Sequence, residues 1–278
     1  MRNAFAKEIE RLAELDDRIV LLSGDIGNKM YDKYKEKCPD RFYNCGVAEA
    51  NMTGVAAGMA LSGLRPFTYT ITTFNTQRCF EQIRLDAGYH EAPVVIVGVG
   101  GGLSYASLGP THHANEDIAL MRVIPPMTVI CPADPVEVRL AVRATLDLDG
   151  PAYIRLGKKG EPTLHKTEPN FEIGKAIVMR EGDDACLLGV GTMLANSLAA
   201  ADLLAEQGIS CRVVSFHCAK PLDTSMLMDA FMAYPLVVSI EEHSLIGGVG
   251  AAVAAWRADN LSAGARLFRL GIPDGELT

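Results

Sequence analysis

The chain has 278 residues, 49% of them hydrophobic and 22% charged, more than one ordinary domain needs and enough to bury a sizeable core. Its 26 Lys and Arg against 34 Asp and Glu give a net charge of −8, which removes the electrostatic basis for sequence-independent binding to nucleic acid or to an anionic membrane. A small anionic ligand held by a few local arginines stays compatible with that balance.

The opening stretch MRNAFAKEIERLAELDDR predicts a charged amphipathic helix, with neither the apolar core nor the cleavage site of a secretion signal. No apolar run reaches the roughly 20 residues that span a bilayer, so the expectation is a cytoplasmic protein. RIVLLS, RPFTYT, APVVIVGV, MTVICP and PAYIRL then predict strands separated by helical periodicity. That alternation predicts an α/β fold whose parallel sheet is covered by helices on both faces. Within GKKGEPTLHKTEPNFEIGK, glycine, proline and charge break the rhythm and predict a linker at 161–174, dividing a first domain of 1–160 from a second of 175–278. Beyond it come the strand ACLLGVG, the helix MLANSLAAADLLAEQG closed by Gly208, the strands CRVVSF and PLVVSIEE, and an Ala-rich helix from Val249, a smaller α/β unit. The seven cysteines are scattered and never form CxxC, which predicts reduced packing residues and neither a disulfide framework nor a zinc site.

Several stretches carry candidate chemistry. In NCGVAEANMTGVAAGMAL, Glu49 heads a helix built otherwise from small and apolar residues. A first-turn carboxylate complements the helix dipole, which alone would account for it. Met52, Val55, Ala56 and Met59 fall at helical spacing, and Gly54 and Gly58 leave a strip where another helix can approach. In TTFNTQRCFEQIR, Phe74 lies where strand gives way to helix and is the aromatic residue available to a ligand, while Phe80 and Ile83 continue an apolar face. The loop GVGGGLSYASLGPTHHANED follows a strand, and its glycines permit close backbone approach at the sheet edge where open α/β folds bind ligands. It lacks both GxxxxGK[ST] and GxGxxG spacing. Adjacent His112 and His113 point apart in most backbones, which disfavours a shared metal, and Asn115 is a candidate N-cap. GVGT opens a helix in the second domain, but Leu194 takes the place of a third glycine, so a dinucleotide site is weakly indicated. Gly24, Asp25 and Asn51 mimic a thiamine-type metal motif only accidentally, because Ile26 stands in place of its second glycine.

In order, the stretches SGD, GVAEANMTGVAAGMAL, TTFNTQRCFEQIR, GPTHHANEDIALMR, MTVICPADPVE, PAYIRLG, AKPLD and EEHSLIGGVGAAV closely resemble the C-terminal half of transketolase over essentially the whole chain. That half comprises a pyrimidine-binding domain and a small C-terminal domain, which bacteria sometimes encode as a separate subunit. The resemblance implies that Glu49 hydrogen-bonds N1′ of the thiamine diphosphate aminopyrimidine and favours the imino tautomer that activates the cofactor. Burial would then have to raise its proton affinity against the helix dipole. It implies that Phe74 stacks on the same ring, that Gln77 lies close to it, and that Asp25 and Ile26 approach from the strand end. His112 would contact the oxygens of the donor sugar, with His113 beside it, and Arg2 and Arg155 would grip a substrate phosphate.

Three departures from the family pattern bear on substrate. Leu108 stands where an acidic residue reading the acceptor's hydroxyl is usual, Gly100 where a phosphate-binding histidine is frequent, and His113 where glutamine is usual. Leucine removes a charged acceptor and adds apolar surface, which predicts a less hydroxylated or otherwise modified acceptor. With no authentic GDG motif in the chain, the diphosphate and Mg²⁺ are expected on a partner, the N-terminal transketolase subunit, in a heterotetramer with two copies of each chain. The alternatives are the β subunit of a 2-oxo acid dehydrogenase E1 component and a non-catalytic assembly subunit. The chain stops soon after FRLGIPDGELT, where relatives often continue.

Overall fold

A computed structural model describes residues 1–275; the last three, closing FRLGIPDGELT, lie outside the described residues. Strands β1 (Ile19–Ser23), β2 (Phe42–Asn44), β3 (Arg65–Ile71), β4 (Val95–Val99), β5 (Thr128–Ile130) and β6 (Ala152–Leu156) are followed by β7 (Ile177–Arg180), β8 (Ala185–Gly189), β9 (Cys211–Ser215), β10 (Cys218–Lys220), β11 (Leu236–Ser244) and β12 (Arg266–Ile272). They form two sheets, ordered β10-β5-β6-β4-β3-β1-β2 and β12-β11-β8-β9-β7. Strands β1 to β6 run parallel to their neighbours, while β10 leaves the second half of the chain to pair antiparallel with β5. The five strands predicted in the first half are all present. The short β2 and the edge strands β7, β10 and β12 escape the sequence signal because they lack a continuous buried apolar run: β2 is largely solvent-facing and β12 is exposed at four of seven positions.

Helices sit on both faces of the first sheet. Residues alternate along β1, so that Ile19 and Leu21 join a cluster with Phe5, Ile9, Val138 and Val142, while Val20 and Leu22 face Met52, Ala56 and Ile83. The first face is covered by α1 (Arg2–Ala13), the amphipathic helix expected at the N-terminus. Between the strands run α2 (Asp32–Lys37), α3 (Glu49–Leu61), α4 (Thr72–Asn75), α5 (Phe80–Gln82), α6 (Asp117–Arg122) and α7 (Pro135–Ala144), with a π-helical stretch at Ile83–Tyr89. The second sheet carries α8 (Met193–Ala205), α9 (Thr224–Ala233) and α10 (Val249–Asn260). The core is continuous between the halves, since Cys131 and Ile118 pack in one cluster with Phe216, Leu227 and Phe231. No helix among the described residues is long and apolar enough to cross a membrane, and the seven cysteines are free thiols, six of them buried.

Two local expectations need correction. Among the described residues the glycine strip of α3 is only loosely covered: a Cβ at Gly58 would meet nothing within 4 Å, one at Gly54 would reach only Asp86 Oδ2, on the π-helical stretch, at 3.6 Å, and Val55 is exposed. Asn115 is not a helix cap either; Glu116 holds that position without a side-chain capping bond, and Asn115 Oδ1 is buried without a partner.

The segment 161–174 is pinned rather than loose. Asp134 caps α7 through Val136 N and Glu137 N, at 2.9 and 2.8 Å, and accepts from Leu164 N and His165 N at 2.8 and 3.0 Å. Glu137 Oε1 takes the Ser215 hydroxyl at 2.7 Å and lies 2.8 Å from His165 Nε2. Burial opposes the imidazolium, yet the hydrogen bond and charge of Glu137, aided by Asp134, outweigh it and raise the His165 pKa. A raised folded-state pKa means this stabilisation is fully present below the unfolded histidine value of about 6.5 and fades as pH rises through the folded one. The melting-temperature gap between the natural chain and His165→Gln should therefore narrow from pH 5 to pH 9. A gap that widens with pH would show that His165 is held neutral.

Candidate active site

The carboxyl ends of β1 and β3 and the loop after β4 meet around Glu49 and Phe74. Glu49 is the first residue of α3 and only 2% exposed, with the backbone just after β1 packed close to it: a Cβ on Gly24 would lie 2.9 Å from Thr70 Cβ and 3.4 Å from Glu49 Cγ. Its Oε2 accepts from Arg78 Nη1 at 3.0 Å.

Phe74 stands in the helical turn that follows β3. Buried Asn75 fixes that turn by donating to Val97 O at 2.9 Å, and Thr73 Oγ1 donates to Thr111 O at 3.0 Å, joining the turn to the histidine loop. The Phe74 ring meets His112 edge-on, with centroids 5.1 Å apart, and carries the Arg78 guanidinium 4.8 Å from its centre. Arg78 thus touches both the buried carboxylate and the aromatic face. Sequence reasoning missed it, although its place one helical turn after Phe74 was the available signal.

His112 Nδ1 lies 2.9 Å from Thr111 Oγ1, and its ring is also edge-on to Tyr105 at 5.9 Å. His113 turns the other way and donates from Nε2 to Ala106 O at 3.2 Å, a carbonyl that can only accept. Gln77 Nε2 donates to Glu116 Oε2 at 2.8 Å. A cleft of about 800 Å³ opens here, lined by Phe74, Gln77, Arg78, Thr111, His113 and Glu116. At the strand end, Ile26 is partly buried and its carbonyl accepts from Ser23 Oγ at 2.7 Å. The exposed Asp25 adopts φ +56° and accepts from Asn44 Nδ2 at 2.9 Å.

The glycine loop serves the protein's own side chains. A Cβ on Gly100 would fall 2.1 Å from the Tyr105 ring, so that ring takes the space a side chain there would need, and a Cβ on Gly102 would fall 2.3 Å from Glu242 Oε2. The Lys158 ammonium lies 4.4 Å from the centre of the Tyr105 ring. Burial raises the Tyr105 pKa, and the nearby charge of Arg2 opposes that rise. Tyr105 and Lys158 are two further residues that sequence reasoning passed over. Leu108, in the adjoining turn, is 53% exposed.

Arg155 is placed differently from expectation. It is 5% exposed, pairs with fully buried Asp117 through Nε–Oδ2 at 2.8 Å, and donates from Nη2 to Ala114 O at 3.1 Å and Glu242 O at 2.9 Å. Its guanidinium ties the histidine loop to β11, and Arg155 is not among the residues lining the cleft. Burial opposes ionisation of Asp117, but the Arg155 charge wins and holds that carboxyl below its usual range.

Residues 1–161 match the family described as transketolase, pyrimidine binding domain, and residues 174–277 match transketolase, C-terminal domain. The chain is 38% identical over 275 residues to the 6-deoxy-6-sulfo-D-fructose transketolase subunit SqwH of Clostridium sp. (strain MSTE9), covering 99% of this chain and 85% of that protein. It is 32% identical over 275 residues to an apulose-4-phosphate transketolase subunit of Phocaeicola vulgatus (strain ATCC 8482), covering 98% and 87%. A solved structure of a split gene transketolase, an inactive beta4 tetramer, superposes with a TM-score of 0.90 at 36% identity, covering 98% of this chain and 89% of that one. With both domains matched in order and relatives aligned along nearly their whole length, the chain belongs to the transketolase family and is laid out like the β-type subunits of its split members.

Proposed function

We propose that the chain binds the aminopyrimidine of thiamine diphosphate between Glu49 and Phe74 and, with an N-terminal partner subunit holding the diphosphate and Mg²⁺, transfers a two-carbon ketol unit from a ketose to an aldehyde. The observation that carries this reading is the pairing of a buried carboxylate with an aromatic face, bridged by one flat, N–H-bearing group, the Arg78 guanidinium. An aminopyrimidine offers a π face for Phe74 and a ring nitrogen able to share a proton with Glu49 Oε2, so the residues present fit the cofactor. When bound, that cofactor supplies the carbanion chemistry. Glu49 holds the proton shared with the ring nitrogen, in a setting from which water is excluded. His112, whose Nδ1 is engaged by Thr111, presents Nε2 to an oxygen of the donor sugar. Gln77 and His113 line the approach, Asp25 and Ile26 close the strand end, and Arg2 with Lys158 beside Tyr105 forms the cationic wall for an anionic substituent. Arg155 has no place in that wall.

Exposed Leu108 and the Tyr105 ring over Gly100 favour an acceptor that is modified rather than fully hydroxylated; the modified sugars in the names of two relatives, 6-deoxy-6-sulfo-D-fructose and apulose 4-phosphate, are ketoses, on the donor side of the transfer. The assembly proposed is a heterotetramer with two copies of each subunit. The test is to co-purify the partner, add thiamine diphosphate and Mg²⁺, and screen ketose donors against aldehydes. Modified acceptors should be preferred over standard phosphorylated hydroxyaldehydes by at least tenfold, about what one pocket contact discriminates. The opposite preference removes the acceptor assignment, and absence of ketol transfer removes the whole reading.

A further inference from the structure

We infer that Arg78 is a placeholder for the aminopyrimidine: in the cofactor-free chain its guanidinium fills the contacts between Glu49 and Phe74 that the ring takes over, so that loading displaces it. This rests on the function proposed above. Glu49 is 2% exposed, and a carboxylate so placed is costly to leave without a counter-charge. Arg78 supplies one. It is itself 50% exposed, so its long side chain can leave the slot for water without giving up a packed position.

The chemistry of the side chain matters as much as its charge. A guanidinium is planar, donates N–H in its own plane and stacks through its face, whereas an ammonium is a compact, strongly hydrated point. Here the in-plane donor reaches Glu49 Oε2 at 3.0 Å and the guanidinium carbon lies 4.8 Å from the Phe74 ring centre. A second flat ring stacked on that face and bonded to that oxygen would overlap it. Guanidinium and aminopyrimidine therefore exclude each other, and the apparent cofactor affinity is lowered by the fraction of chains in which Arg78 is seated. Arg78 is a positioning residue: while seated, it is bonded to the carboxylate and covers the aromatic face.

The test uses the complex reconstituted with its partner, titrated calorimetrically with thiamine diphosphate in excess Mg²⁺. Arg78→Ala should tighten binding about tenfold, as expected when a site occupied some nine-tenths of the time is freed, and Arg78→Lys should fall between. Melting of the cofactor-free chain is the second readout. Arg78→Ala should lower the melting temperature in the natural background and leave it unchanged in a Glu49→Gln background, where no charge is left to neutralise. Unchanged or weaker cofactor binding by Arg78→Ala, or an equal melting penalty in both backgrounds, overturns the placeholder while the functional reading stands. If the natural complex binds no thiamine diphosphate, the functional reading itself fails and takes the placeholder with it.

Discussion

Turnover of the assembled complex should fall by about 10²–10⁴-fold in Glu49→Gln, the range set by removing a positioned proton-transfer group, while the chain keeps its fold. Glutamine preserves the shape of the side chain against Gly24, the backbone that crowds this position. It loses the negative charge and with it the ability to hold a mobile proton. Stability should change little, because the partner left behind, Arg78, is half exposed and can be hydrated. Steady-state kinetics with a melting curve on the same preparation checks both halves of the expectation. Near-normal turnover would show that the buried carboxylate is a packing feature; collapse of the fold would show that its charge is structural.

The second large effect concerns stability. Arg155→Ala should cost about 3–5 kcal/mol, the usual penalty for leaving one member of a buried ion pair alone. Asp117 is fully buried and would lose its counter-charge, and the carbonyls of Ala114 and Glu242 would each lose the Arg155 donor, Ala114 O keeping the one from Gly102 N. Contacts along the same seam would be loosened too: Arg122 Nη1 donates to Gly247 O at 2.7 Å, and Ser244 N to Asn115 O at 2.9 Å. Urea unfolding measures the loss, and kinetics on phosphorylated and unphosphorylated substrates separates the two roles for this arginine. A structural pair predicts lower stability with substrate preference unchanged. A rise in KM confined to phosphorylated substrates, with normal stability, would return Arg155 to the phosphate site. The pair between Glu8 and Arg143 is a useful contrast, since Arg143 is 35% exposed, and partly solvated pairs contribute far less.

Much of the fold was legible because buried parallel strands carry continuous apolar runs: RIVLLS, APVVIVGV and PAYIRL could be read as β1, β4 and β6 without any knowledge of their neighbours. The strand β10 was not legible, because CAK is short and its pairing with β5 depends on a segment 88 residues away, from Ile130 to Cys218. The site divides the same way. Glu49, Phe74 and His112 were marked by motifs that lie within single stretches of chain, and the fold brings those stretches together at the carboxyl ends of neighbouring strands.

What the sequence determined alone was the α/β class, the two-part layout and the residue types at the cleft, because periodicity and motif spacing are local properties of the chain. The tertiary structure decided how each charge is engaged. It gave Arg155 to Asp117, 38 residues away, gave Arg78 to Glu49, 29 residues away, and filled the space above Gly100 with Tyr105. Buried charge is tolerable only beside its counter-charge, and which counter-charge that is depends on distances in space that spacing along the chain does not encode.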